Sequence, residues 1–171
     1  MTEARYSDQM NCAEVEGALD KLIATLPQPE GTKYPYDLVA IEGLTVFLAG
    51  QVPKQNGALA HVGKVGGEVS PDEAVQSARI CAQQALSWFH VCAGGLHNLQ
   101  RVLRITCYVA HDDSFSDISS IADGASNFLI EALSDRGRHA RSVIGVKSLP
   151  RNAPVLIEMT ASLKSPQPQT F

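Results

Sequence analysis

The chain has 171 residues, 44% of them hydrophobic and 19% charged, with a formal net charge of −4 at pH 7. That balance excludes wholesale disorder and fits a single domain large enough to fold without a disulfide or metal staple. No run of basic residues exceeds two, so a surface that releases counterions from a phosphate backbone is not visible, and nucleic-acid binding is not expected. The four cysteines, Cys12, Cys81, Cys92 and Cys107, form no CxxC pair and have no histidine at metal-ligand spacing. Cys81, Cys92 and Cys107 lie in apolar stretches and read as reduced core residues of a cytoplasmic protein. The N-terminus shows no apolar signal region and no stretch reaches 18 apolar residues, so neither export nor a membrane span is expected.

Asn11-Cys-Ala-Glu14 has the form of a capping box. Val15, Ala18, Leu19, Leu22, Ile23 and Leu26 follow at helical spacing. Pro27 and Pro29 end that helix, and residues 27–35 read as an extended connector. Two short apolar runs, 38–41 and 44–48, flank Glu42-Gly43 and predict a hairpin. Residues 53–69 carry four glycines and read as a long loop, a form often functional in compact domains. Ser70-Pro-Asp-Glu73 combines a cap, a proline at the first helical position and two acids facing the helix dipole. The helix it starts should run to about Ala93 and stop at Gly94-Gly95. Its stripe Ala74, Ala78, Cys81, Ala82, Ala85, Phe89 and Cys92 is dominated by small residues, as close packing on a sheet requires. A strand over 102–109, a helix over 117–133 and strands over 142–146 and 155–163 complete the order helix, β, β, α, β, α, β, β. That order predicts an α/β layer with its helices on one face of the sheet.

Several fragments in register resemble one family. Leu48-Ala-Gly-Gln-Val-Pro53 is similar to a "xSGQxP" strand end. His139-Ala-Arg-Ser-Val-Ile-Gly-Val146, followed by Leu149-Pro150 and Ile157-Glu158, is similar to an "ARS…V…LP…xEIE" ending. These are the patterns of the RidA (YjgF) family, and the resemblance spans roughly residues 33–163. It is nearest to a longer branch with an N-terminal helix, whose further patterns resemble residues 63–70, 123–126 and 137–142. The resemblance implies a chorismate-mutase-like α/β (α+β) fold, a mixed sheet with two helices on one face plus the N-terminal helix. It also implies a homotrimer with clefts between neighbouring subunits, and hydrolytic deamination of reactive 2-imino or enamino acids. No metal or organic cofactor is called for. An older description of the family as "L-PSP endoribonuclease" is the third activity it suggests. The chain then divides into an N-terminal helical extension and connector (1–32), the family domain (33–163) and a tail (164–171) expected to be disordered.

Arg141 is the leading candidate for the site, because a guanidinium fork matches both oxygens of a carboxylate. Its plainer alternative is a strand-end surface salt bridge. Glu158 stands between Ile157 and Met159 in an otherwise apolar strand, and one carboxylate near a C=N group can serve water and nitrogen in turn. Its plainer alternative is a solvated strand-face acid. The resemblance implies that Tyr36 walls the cleft from a neighbouring subunit, that a backbone N–H at Val143 contacts the ligand, and that Ala49, Gln51 and Asp123 lie nearby. Tyr36 reads equally as a packing residue, and Gln51 as a core residue satisfying backbone groups. His139 reads as a structural hydrogen-bonding residue close to Arg141, with a cleft-lining role as its alternative. Three positions depart from the family pattern: Ala49 replaces a Ser, Asp123 replaces an Asn, and Val143 stands where a Cys is frequent. A negative charge at Asp123 opposes a carboxylate ligand unless it is protonated or paired. Two functions stay open, a deaminase and a non-catalytic trimer that binds a small carboxylate metabolite, with RNA cleavage third.

Overall fold

The structure is a computed structural model that describes residues 12–167. Helix α1 spans Cys12–Thr25, β1 Val39–Glu42 and β2 Thr45–Gln51; β3, Lys54–Gln55, and β4, Ala58–Leu59, form a small separate hairpin. Helix α2 spans Pro71–Cys92, β5 Leu99–Ala110, α3 Ile118–Leu133, β6 Ala140–Val146 and β7 Val155–Leu163. The expected order and fold class hold. The capping box expected at Asn11 lies outside the described residues. At α2 the cap is complete: Ser70 Oγ accepts from the Glu73 N–H at 3.3 Å, and the Glu73 carboxylate accepts from the Ser70 N–H at 2.9 Å.

The stretch expected as one loop over 53–69 holds the β3–β4 hairpin. Asn56 and Gly57 both take positive φ, 52° and 80°, the conformation of a tight turn for which Asn-Gly is the favoured pair. The main sheet has five strands in the order β1-β2-β7-β5-β6. All pairings are antiparallel except β5 with β6, which is parallel. A parallel neighbour needs a crossover, and α3 supplies it.

Strand alternation then sorts the side chains. Val102, Ile105, Cys107 and Val109 of β5, with Ile157, Met159 and Ala161 of β7, are buried in one cluster with the small-residue stripe of α2 and the apolar face of α3. Thr106, Tyr108, Glu158 and Thr160 point the opposite way, to a face that no helix among the described residues covers. On that side Phe47 is 50% exposed and Ile144 43%, large apolar groups for a monomer to leave in water. One correction concerns the stripe: Cys92 is exposed at the end of α2, whereas Cys81 and Cys107 are buried. Burial pushes the Cys107 thiol up to about 12, which removes it as a nucleophile.

The two helices meet closely at Gly124, where an added Cβ would collide with the Val75 carbonyl oxygen. Backbone cannot yield as a side-chain tip can. Gly124→Ala is therefore expected to lower stability by about 1–3 kcal/mol in a urea melt. A change below about 0.5 kcal/mol, the size of an ordinary surface substitution, would contradict the close approach.

Candidate functional site

The predicted site residues fall into two groups, and their charged members Arg141 and Glu158 lie on opposite faces of the sheet. The first group is built on β6 and α3. In the parallel ladder Arg141 lies beside Ile105 and Val143 beside Cys107, so both point to the helix side. There α3 presents Asp123 and Ser126, three residues apart and hence neighbours on its surface. Arg141 Nη1 donates to Asp123 Oδ1 at 2.7 Å and to Ser126 Oγ at 3.1 Å, and Nη2 donates to the Ser119 carbonyl at 3.4 Å. The ion pair that is the plainer expectation for Arg141 is thus present, and it is made with the very acid that departs from the family pattern. About a quarter of the Arg141 side chain and half of the Asp123 side chain face water, so the group stays open to a ligand.

His139 supports this group from behind. Its Nδ1 lies 2.6 Å from the Gly137 carbonyl and its Nε2 3.1 Å from Ser126 Oγ. A carbonyl only accepts, which places the proton on Nδ1. Nε2 then accepts from the Ser126 hydroxyl, whose oxygen in turn faces Arg141. Burial holds the imidazole below its ordinary range, outweighing the Gly137 carbonyl, and the Arg141 charge adds to the shift. The expected structural role of His139 is what the geometry displays.

The second group is built on β2 and β7. Glu158 lies beside Thr106 in the ladder, on the helix-free face, where it accepts from Tyr108 Oη at 3.2 Å. Loss of surrounding water raises the Tyr108 phenol above its ordinary range, and the Glu158 charge raises it further, so this donor keeps its proton. Glu158 borders a cleft of about 650 Å³ that also takes in Tyr36, Ala49, Gln51, Trp88 and Arg151. Tyr36 stacks on Tyr34 with ring centres 6.3 Å apart, so the connector after α1 forms one wall. Gln51 is buried and its amide donates to the Ala49 carbonyl at 2.8 Å, closing the irregular register between Leu48 and Gln51. Its core-residue reading is therefore sound, although it also borders the cleft.

Arg141 and Glu158, expected to work on one ligand, do not share a face within one chain. Alternation decides this: Arg141 is in register with buried Ile105, Glu158 with open-faced Thr106. Sequence reasoning passed over Tyr108, Trp88 and Arg151, which sit in strands, helices and turns with nothing local to mark them. It quoted Ser126 within a pattern without giving it a task. Among the described residues no group of three or more His, Cys, Asp or Glu could hold a metal ion. No helix among them is long and apolar enough to cross a membrane.

A family model described as "YjgF/chorismate mutase-like, putative endoribonuclease" matches residues 18–163. The chain belongs to the YjgF family. It is 29% identical over 152 residues to protein TCP17 of Trypanosoma cruzi, covering 88% of this chain and 95% of that one. The solved structure of Atu1372 from Agrobacterium tumefaciens, a protein of unknown function, superposes with a TM-score of 0.78. Its identity to this chain is 32%, over 88% of this chain and 92% of that one. A crystal structure from Shewanella oneidensis, described as "a putative endoribonuclease", superposes at 0.81 with 24% identity. It covers 87% of this chain and 99% of that one.

The support behind Arg141 carries a pH signature. A histidine whose folded value lies below 6.5 binds its proton less readily folded than unfolded. Its contribution to stability is therefore complete above pH 6.5 and is lost as pH falls below it. Urea midpoints taken at pH 7.5 and pH 5.0 should drop more for the wild type than for His139→Gln. Equal drops would show that the imidazole is not held in its neutral form.

Proposed function

We propose that this YjgF-family protein hydrolyses small reactive 2-imino or enamino acids at clefts shared between copies of the chain. The observation that carries the proposal is the division of the site residues. A carboxylate-matching guanidinium with Asp123, Ser126 and Val143 stands at the β6 edge of the sheet. A carboxylate base with Tyr36, Tyr108 and a cleft stands at β2 and β7. Each half lacks what the other holds, so a second copy that sets its β6 edge against the first copy's β2–β7 end would complete a site. The exposed apolar groups Phe47 and Ile144 support such an association, and closed symmetry favours a ring, here the homotrimer implied by the family.

In that site Arg141 holds the substrate carboxylate. Glu158, kept in place by the Tyr108 hydroxyl, takes a proton from water as its oxygen adds to the C=N carbon. The same acid then returns the proton to nitrogen, and the C–N bond breaks to release ammonia and the keto acid. Removing the base, Glu158→Gln, should lower the turnover of 2-aminoacrylate generated in situ by about 10²–10⁴-fold. Arg141→Ala should weaken apparent substrate binding, because it deletes a charge-assisted fork of bonds.

Subunit sharing has its own test. Co-assembling the Arg141→Ala and Glu158→Gln chains, at a substrate concentration where neither chain alone turns over, should restore about a quarter of wild-type ammonia release, the fraction of sites that random assortment in a ring makes whole. No recovery in verified mixed oligomers would place both groups' work within one chain, and a monomer by sedimentation would remove the shared cleft altogether.

The second reading is a trimer that binds a small carboxylate metabolite without turnover. It is favoured by one observation, that Asp123 already occupies part of Arg141. Arg141-dependent thermal stabilisation without ammonia release would select it. RNA cleavage draws less support, since a chain of net charge −4 without basic clusters lacks the usual footprint.

A further inference from the structure

A serine inside a helix commonly returns its hydroxyl to the carbonyl one turn back, as Ser87 of α2 does with Gln83 at 2.9 Å. Two others pair with a histidine instead. Ser77 lies 3.0 Å from His61 Nδ1 but is fully buried, out of reach of any reactant. Ser126, in the middle of α3, lies 3.1 Å from His139 Nε2 and is only half-buried. Its neighbours Arg141 and Asp123 are partly in water, so this hydroxyl stands where a small molecule can meet it.

The bonds around Ser126 run in the order that nucleophilic catalysis requires. The Gly137 carbonyl, 2.6 Å from Nδ1, fixes the proton there and leaves the Nε2 lone pair turned to the hydroxyl. It does for His139 what a carboxylate does for the base of a serine hydrolase triad. Arg141 Nη1 lies 3.1 Å from Oγ, close enough to stabilise negative charge on that oxygen and on an oxyanion two bonds away from it. Backbone N–H groups in mid-helix are committed to the helical ladder, so the guanidinium is the donor that can serve. Asp123 is bonded to the same Nη1 at 2.7 Å, which sets a repulsion against a negatively charged acyl group and none against an uncharged one.

We propose that Ser126 is a nucleophile toward small uncharged acyl donors, esters or thioesters, with His139 as its base and Arg141 as the partner of the oxyanion. The activity is separate from the hydrolysis of C=N bonds and needs neither Glu158 nor a second copy of the chain. Oγ adds to the acyl carbon as its proton passes to Nε2. The donor's C–O or C–S bond then breaks, and the leaving group takes that proton. Water adds next to the acyl-serine, giving a proton to Nε2 that returns to Oγ as the carboxylic acid departs. RCO–XR′ and water thus give RCOOH and HXR′, with no change of oxidation state. Burial holds the imidazole below its ordinary range, so Nε2 is free to accept at neutral pH.

The test treats the full chain at pH 7.5 with an alkyl fluorophosphonate, which loses fluoride to an activated serine, and maps the adduct by mass spectrometry. A single adduct on Ser126 is expected, and none at that peptide in Ser126→Ala. p-Nitrophenyl acetate should be hydrolysed faster than in buffer, and the gain should vanish in Ser126→Ala. In His139→Gln, which keeps a polar side chain without a base, the labelling rate should fall by about 10²–10⁴-fold. A wild type left unlabelled, or labelled only at other residues, would overturn the proposal without reference to how any variant folds. A labelling rate unchanged by His139→Gln would overturn it as well. Ammonia release from 2-aminoacrylate is read separately, so either activity can fail while the other stands.

Discussion

The two-residue period of the β-strand is the constraint on which the rest of this structure depends. Once Val102, Ile105, Cys107 and Val109 are committed to the helices, every side chain between them is committed to the opposite face. The parallel pairing of β6 with β5 transmits that choice to a strand that has no fully buried residue of its own. Arg141 inherits the core-facing side from Ile105, and Glu158 inherits the bare side from Thr106. A shift of one residue in either ladder would exchange these positions. The burial of Ile105 and Met159 is what prevents it, because a slip would move a row of apolar groups into water.

A second consequence of that sidedness is electrostatic. On the helix side Arg141 meets polar groups held by a rigid element, α3, whose position is set by the close contact of Gly124 with α2. The guanidinium therefore has fixed partners in Asp123, Ser126 and Ser119, and a neutral His139 behind them. On the bare side Glu158 has only Tyr108 as a hydrogen-bond partner among the described residues and stands at the margin of a cleft. One charge is pinned and the other is close to free, a useful contrast between a group that grips and a group that exchanges protons.

Much of the fold was legible because it depends on local chemistry. The Ser70–Glu73 box and Gly94-Gly95 bracket α2 through capping that any chain context would honour, and the alternation in 155–163 marks β7. The Asn56-Gly57 turn was equally legible in principle, but the glycines around it blurred a two-residue signal into a loop. Cys92 was misplaced because helical spacing put it on the apolar stripe, while the helix ends there and leaves it in water. Of the site, the identities of Arg141 and Glu158 could be read from short patterns, as could the departure at Asp123. Their separation could not. It follows from strand order and from the parallel β5–β6 register, and no span of a few residues encodes which strands become neighbours. Tyr108 was invisible for the same reason, since its meeting with Glu158 spans 50 residues.

Among the described residues strand β6 has a neighbour on one side only, so its hold on the domain depends on what its side chains reach across the sheet face. Arg141 is one of those anchors: its bonds to Asp123, Ser126 and Ser119 stitch the outermost strand to α3. Anything that recruits this guanidinium at Asp123's expense unpicks a seam of the domain, whereas an occupant that engages both partners draws the seam tighter. Occupancy of the Arg141 group and the local cohesion of the sheet's margin are thus coupled through a single side chain.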